Sequence, residues 1–433
     1  IRNSSRRVVA TERINGTNKK GINLGVGNKC VMVTGNEYVE TPVVWDWSRI
    51  AGSTAQSNEV KPLSKAYSRT NMYFAGGVSN GNVGFTAYKQ DYEGVSVRKA
   101  DLMTDEGIYS IGGEINASAS NPVFTNINQC RSDGDILISD NGNQSIFNAN
   151  EQSFSDLEWI HHNRIGYFFP KSQNVTLSNK NQSGRYSDID EGSSDNKLHT
   201  EKMFSAWIDH GKQPEGGSYE YIVVPGRDME EFKNWTSTQT FEMVMNNADV
   251  QAVKNGKLYA AAAYEPSKTI QFEEGLNVTA NEPCLILIQV RDSLYKISLA
   301  DPTTLLKGSI TLIISKDMEG ENVSANMGAT SYLSFKLPSG DMAGSTVTEE
   351  FISKNETTAI SEVFKEEYSI NISACNRTIF IDSKAATETK VFDIYGRQIL
   401  STSEYIIPVD QPGIFIVLAQ SNNKTIRKKI VLR

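Results

Sequence analysis

Four cysteines and four histidines in 433 residues leave little material for metal or thiol chemistry. Cys30, Cys130, Cys284 and Cys375 are far apart and form no C-x-x-C, which excludes a zinc knuckle or a thioredoxin motif; they are read as free and mostly buried small apolar residues. Long apolar runs are missing too. The best, Leu258 to Tyr264, is mostly alanine and far short of the roughly 18 residues that span a bilayer, so no membrane span is expected. Basic clusters stop at Arg427-Lys428-Lys429 and the net charge is -8, which gives nucleic acid no electrostatic footing. There is no G-x-S-x-G, Walker A loop, H-E-x-x-H or G-x-G-x-x-G between strand and helix. The chain opens on Ile1 without a charged and then apolar leader, so a processed or artificial start is expected.

What is present is turn and strand. Gly (32 residues), Asn and Ser are plentiful, and mean hydropathy is -0.39. Alternating segments at Val83–Tyr88, Gly107–Ile111, Tyr219–Val224, Tyr295–Leu299, Ile310–Ile314 and Tyr332–Leu337 predict strands, punctuated by Gly76-Gly77, Asn80-Gly81, Gly112-Gly113 and Asn141-Gly142. Strands at this density imply large antiparallel sheets packed face to face, since an open sheet of that size would curl or split. One helix is expected, short and polar, over Asp228–Asn234. The Asn-x-Ser/Thr triplets, such as Asn174-Val-Thr176, are read as chance in an Asn-rich chain. Turn signals stop near Gly344–Asn355, and a Thr/Glu/Ser-rich stretch to Glu367 reads as a linker. Beyond it, Lys390–Tyr395, Gly413–Ala419 and Thr425–Leu432 predict a small β-sandwich.

The candidate chemical residues have ordinary readings. His161 and His162 follow Trp159-Ile160 in an apolar strand, so alternation puts one inside and one outside. His210, in Trp207-Ile-Asp-His-Gly211, reads as a turn residue, and Asp188, Asp190 and Glu191 read as a solvated loop. Trp45 and Trp47, two apart on a strand, read as core in preference to a sugar platform.

Several ordered motifs, taken together, resemble polysaccharide lyase family 8, which contains chondroitin AC, hyaluronate and xanthan lyases. Glu12-Arg-Ile-Asn15-Gly-Thr-Asn18-Lys-Lys-Gly21 is similar to the family's E-x-x-N-x-x-N-x-x-G. Pro42-Val-Val-Trp45-Asp46-Trp47-Ser-Arg-Ile50-Ala-Gly52-Ser-Thr54 is similar to its P-x-W-[DE]-W-x-x-[IL]-P-G-T-T, with one extra residue after the proline and Ala51 for the second proline. Phe74-Ala-Gly-Gly77-Val-Ser79, Ile165-Gly-Tyr-Phe-Phe-Pro170, Trp207–Gly211 with Tyr221–Gly226, Glu282-Pro-Cys284 and Ala343–Val347 extend the likeness over roughly residues 5 to 350.

The resemblance implies an all-β chain: a large antiparallel super-sandwich (1–245), a smaller β-sandwich (246–350), a linker (351–367) and a C-terminal Ig-like sandwich (368–433). It implies β-elimination on an acidic, uronic-acid polysaccharide of the chondroitin or hyaluronan kind. The family's catalytic Asn, His, Tyr and Arg belong to an N-terminal α/α-toroid that these residues do not include, so the chain alone is expected to be inactive. A carbohydrate-binding or surface-attached module without catalysis is the alternative. Glu12 matches the glutamate that supports the Arg/His part of the site without acting as base; Asn15 and Asn18 match substrate-facing asparagines, Asn15 the better for a sugar contact. No cofactor is expected. Asp46 fits a calcium position seen in some members, but Ser48, Ser57 and Asn58 stand at the others, a poor set for a hard cation; calcium is the one ion left open. Ala66 falls where the family places an aromatic platform. Residues Lys390–Gln398, Gln411–Val417 and Lys424–Val431 resemble the C-terminal sorting domain of type IX secretion in Bacteroidetes, which implies a secreted or cell-surface protein. A monomer is expected.

Overall fold

A computed structural model describes residues 2–3, 5, 13–58, 60, 66–67, 71–118, 120–354, 371–375, 378–382, 388–393, 396–409, 411–421 and 424–432. The chain divides into two compact units, Ile1–Glu356 and Thr357–Arg433. Both are all-β, as the alternating segments predict.

The first unit stacks four sheets. A five-stranded sheet runs in the order Glu151–Phe154, Val175–Gly184, His199–Lys212, Pro122–Arg131, Thr54–Gln56, and faces a nine-stranded sheet that begins at Asn143–Ile146 and ends at Ala75–Ser79. Every pairing in them is antiparallel. Between the two lies a core that includes Val97, Ile127, Ile160, Val175, Phe204 and Tyr221. The other face of the nine-stranded sheet packs on a seven-stranded sheet through Phe85, Leu102, Ile111, Ala260, Ala262 and Leu287, and a further five-stranded sheet closes the stack through Ile270, Val278, Leu312 and Phe335.

The alanine run explains itself in this stack. Leu258–Ala263 is a central strand of the seven-stranded sheet, buried at every position. Tyr259, Ala261 and Ala263 face one core and Leu258, Ala260 and Ala262 the other. A strand covered on both faces loses the polar alternation that a half-exposed one shows.

The same double covering corrects the reading of the histidine pair. Leu157–His162 lies inside the nine-stranded sheet, and both rings are buried. His162 packs on Phe204 across the first core, while His161 packs on Phe232 of the helix Met229–Thr238. That helix begins where expected and runs one turn longer. Asp228 caps it: its carboxylate accepts from the Glu231 N–H at 2.9 Å and the Glu231 carboxylate accepts from the Asp228 N–H at 2.9 Å, a full capping box. Phe232 and Trp235 are its buried face.

Strand Phe241–Asn246 already belongs to the seven-stranded sheet, as does Val347–Ser353, so residues 245 and 246 sit within one strand. In the second unit, a three-stranded sheet (Asn371–Cys375, Thr378–Asp382, Ile406–Pro408) and a four-stranded one (Gln398–Thr402, Glu388–Asp393, Gly413–Ser421, Lys424–Leu432) share a core of Ile379, Ile381, Val391, Ile407 and Val417. This is a small two-sheet sandwich. Among the described residues no helix is long and apolar enough to cross a membrane.

Candidate functional site

The segment carrying both candidate asparagines is a tight hairpin. Arg13–Ile14 pairs antiparallel with Ala66–Tyr67, and Asn15 and Asn18 then bond back to back, N–H to carbonyl, at 3.3 and 3.2 Å. Asn15 Oδ1 accepts from the Thr17 N–H at 2.9 Å and the Thr17 hydroxyl at 2.8 Å. Asn18 Oδ1 accepts from the Gly21 N–H at 3.0 Å. A Cβ on Gly21 would run into the side-chain amide of Asn18, which would have to turn away from the Gly21 N–H it now accepts from. The hairpin is clamped onto the segment before strand His199–Lys212. Lys19 N–H donates to Ile189 O at 2.9 Å, Glu191 N–H to Gly16 O at 2.6 Å, and Lys19 Nζ to Ser187 O at 2.8 Å.

The acidic loop is therefore a bracket for the hairpin as much as a solvated turn. In this frame both asparagine oxygens point inward to hold backbone. The Asn15 amide nitrogen makes no bond to any described residue and stays available to an outside acceptor. Glu12 lies outside the described residues. Ala66 sits on the strand that pairs with Arg13–Ile14, beside the hairpin.

The tryptophan motif is not a strand. Pro42 lies in the first turn of a 3₁₀ helix, Thr41–Val44, and Trp45 is its C-terminal cap, as the fixed φ of proline favours at a helix start. Asp46 then turns the chain by accepting from Ser48 N–H at 3.0 Å and Ser48 Oγ at 2.7 Å. Trp45 and Trp47 meet edge to face, 5.5 Å between centroids, and Trp45 Nε1 donates to Thr41 Oγ1 at 3.0 Å. The two rings thus pack on each other, not side by side on a strand face. Asp46 has its countercharge in the chain: Arg49 Nε lies 3.0 Å from Oδ2, and the guanidinium lies 3.6 Å above Trp207 and 5.0 Å from Phe124. Among the described residues no group of three or more His, Cys, Asp or Glu is placed to hold a metal ion.

Three of the four histidines do structural work. His161 Nε2 donates to Arg227 O at 3.0 Å. His162 Nε2 accepts from Asp133 N–H at 3.1 Å, and burial brings its pKa down to about 4. His210 stands near the end of strand His199–Lys212, not in a turn; its Nε2 is 2.8 Å from Thr125 Oγ1, itself 2.9 Å from Thr54 Oγ1. Burial holds His210 at about 4 as well. Neutral and bonded, these rings are not poised to take a proton from a bound polymer. Cys130 and Cys284 are free and buried, whereas Cys30 is exposed.

One charged cluster went unread in the sequence. Lys29 Nζ sits 2.6 Å from Asp101 Oδ1 and 2.7 Å from Ser110 Oγ, with the Tyr221 ring 4.8 Å away. Beside it Lys99, fully buried, donates to Gly52 O. Burial first, and the neighbouring Lys29 second, bring Lys99 down to about 7 despite Asp101.

Residues 1–236 match the family model for the super-sandwich domain of polysaccharide lyase family 8, more than half of the chain. The chain belongs to polysaccharide lyase family 8. Residues 242–309 match the family's C-terminal β-sandwich domain. Chondroitinase-AC of Pedobacter heparinus is 30% identical over 354 residues, 80% of this chain and 48% of that protein. A xanthan lyase of a Bacillus species is 26% identical over 75% of this chain and 36% of its own length. A solved chondroitinase AC lyase superposes with TM-score 0.71 at 28% identity, covering 80% of this chain and 50% of that one. Paenibacillus xanthan lyase, at 17% identity and TM-score 0.73, shares the fold over the whole chain and 46% of its own. The chain spans about half the length of these relatives, or less.

Proposed function

We propose that this chain is the β part of a secreted lyase that cleaves uronic-acid glycans of the chondroitin or hyaluronan kind by β-elimination. The observation that carries this is the Asn15–Gly21 hairpin: within the family's super-sandwich, it fixes Asn15 with its oxygen turned inward and its amide nitrogen unpaired.

The chemistry sets what the rest of the site has to supply. The C5 proton of a uronate is weakly acidic, so its carboxylate is neutralised by a hydrogen-bond donor or cation and a base takes the proton. The C4–O4 bond then breaks, a C4–C5 double bond forms and an acid protonates the leaving O4. By the family resemblance, the Asn, His, Tyr and Arg that do this lie on an α/α-toroid outside these residues. Glu12 supports the Arg and His by charge-assisted hydrogen bonds, and Asn15, with Asn18 behind it, meets the sugar. The chain by itself is inactive in this reading. The second unit, a two-sheet sandwich, is proposed as a type IX sorting domain that carries the enzyme to the cell surface or beyond.

The test compares this chain with the product of its complete gene, on chondroitin and hyaluronan, by the ultraviolet absorbance of the unsaturated uronate. The chain alone gives no signal and the complete product does. A complete product that leaves both glycans intact overturns the lyase reading; removal of residues 368–433 without loss of export overturns the sorting role.

A further inference from the structure

Residues 138–154 enclose a crevice of about 320 Å³. It opens where both sheets of the super-sandwich end on one side: Asn143–Ile146 is the outermost strand of the nine-stranded sheet and Glu151–Phe154 that of its five-stranded partner. Phe147 and Phe154, edge to face at 6.2 Å between centroids, make an apolar floor. Around it stand Asp140, Ser145, Asn148 and Gln152. None of these four side chains makes a hydrogen bond to any described residue.

The contrast with a second crevice, about 290 Å³ beside Thr54–Gln56, is instructive. There three of the four amides are spent on the fold: Gln90 Nε2 donates to Thr54 O at 2.9 Å, Gln56 Nε2 to Glu93 O at 2.6 Å and Asn23 Nδ2 to Trp47 O at 3.3 Å. At the 138–154 crevice Asn143 Nδ2 donates to Asn141 O at 3.2 Å, whereas the side chains of Asn148 and Gln152 keep their bonding capacity unspent.

An apolar floor with a few convergent polar groups, in a volume near 300 Å³, is the makeup of a small-ligand site. Two amides supply donors and acceptors in pairs, a hydroxyl does either, and a carboxylate accepts from adjacent hydroxyls. That set suits a ligand whose surface is hydroxyl and amide. No Lys or Arg lines the crevice, so a sulfate or uronate would meet Asp140 with no countercharge. We propose that this crevice binds a neutral sugar unit, a hexose or N-acetylhexosamine. It is separate from the Asn15 hairpin. Glu151–Phe154 pairs with the first four residues of Val175–Gly184, whereas the hairpin rests on the segment that follows Gly184; the six residue steps from Ser178 to Gly184 separate the two by roughly 20 Å along the strand. The crevice would hold the chain to a neutral glycan independently of the elimination chemistry.

The test is isothermal titration of the 433-residue chain with N-acetylchitotetraose and mannohexaose as neutral probes and a chondroitin hexasaccharide as the anionic one. At least one neutral probe binds, and the double variant Asn148→Ala/Gln152→Ala weakens it tenfold or more at an unchanged melting temperature. Asp140→Asn weakens it too without creating affinity for the anionic probe at this crevice. Failure of both neutral probes to bind, or binding that the double variant leaves intact, overturns the proposal. Because nothing is cleaved in this readout, its failure is distinct from failure of the lyase reading.

Discussion

Replacing Lys99 by methionine makes this protein more stable at pH 6 and leaves it little changed at pH 9. Lys99 is fully buried, and its pKa falls from the ordinary 10.5 to about 7. A lysine whose folded value lies below its unfolded one binds fewer protons folded than unfolded throughout that window. Wild-type stability therefore rises with pH from about 7 towards 10.5, by up to ~1.4 kcal/mol per pH unit for one proton. Below pH 7 the whole cost of burying the charge is present; the 3.5-unit difference corresponds to at most ~5 kcal/mol, reduced to ~3 by relaxation around the ion. Methionine has a similar volume and no charge, and it leaves Gly52 O without its donor, which costs about 1 kcal/mol. The net gain is then ~2 kcal/mol at pH 6 and falls towards zero by pH 9. Melting temperatures of both proteins across pH 6 to 9 read this directly. A difference that does not change with pH, or a variant less stable at pH 6 than at pH 9 relative to wild type, refutes the argument.

Two further substitutions probe other parts of the frame. Glu37 accepts from the N–H groups of Val33, Thr34 and Gly35 at 2.8, 2.8 and 2.9 Å; burial alone would raise its pKa, but backbone donors led by Thr34 and Val33, joined by the Thr34 hydroxyl, hold it at about 2. Its stabilisation is present above the ordinary 4.5 and is lost as pH falls through 2, so Glu37→Gln costs ~1–2 kcal/mol at pH 7, after allowance for solvent screening, and little at pH 2, measured by urea unfolding at each pH. Trp235 stacks on Phe232 at 5.9 Å and meets Phe168 and Phe241; Trp235→Ala leaves a cavity between helix and sheets and lowers stability by ~3–5 kcal/mol in calorimetry.

Where one face of an element meets solvent, the sequence reported it well. Segments such as Tyr332–Leu337 show alternation and are strands, here Thr330–Lys336. The helix was legible as a short polar window from Asp228, and the structure adds the capping box of Asp228 and Glu231 that starts it. Alternation failed where a strand is covered on both sides, as at His161 and His162, because no face is left to be polar. It failed at Trp45 and Trp47 because the local signals of Pro42 and Asp46 outweigh the apolar spacing. The buried cluster had a trace that went unread: Val95, Val97, Lys99 and Asp101 share one face of strand Val95–Met103, so two charges occupy inward positions. The pairing partner of Asp101, Lys29, comes from a distant segment, and no local pattern points to it. The crevice is equally silent in sequence, since Asp140 and Gln152 are ordinary turn and edge residues until two sheet ends come together.

The hairpin separates a structural asparagine contact from a functional one, and a single substitution distinguishes them. Asn15→Asp keeps an Oδ1 acceptor for the Thr17 N–H and hydroxyl, so the turn retains the two bonds that now hold it at 2.9 and 2.8 Å. What changes is the other edge, where an unpaired amide donor becomes an acceptor with negative charge. If that edge meets an acidic glycan, the variant loses a hydrogen bond to a charged group, worth ~1.5–3 kcal/mol, and gains repulsion. In the product of the complete gene, kcat/KM on chondroitin or hyaluronan then falls at least tenfold while the melting temperature of the variant matches wild type. If Asn15 serves only the turn, neither quantity moves, because the substitution preserves every bond the turn uses. A drop in melting temperature with activity retained would place the importance of Asn15 in the fold and remove it from the sugar-binding face.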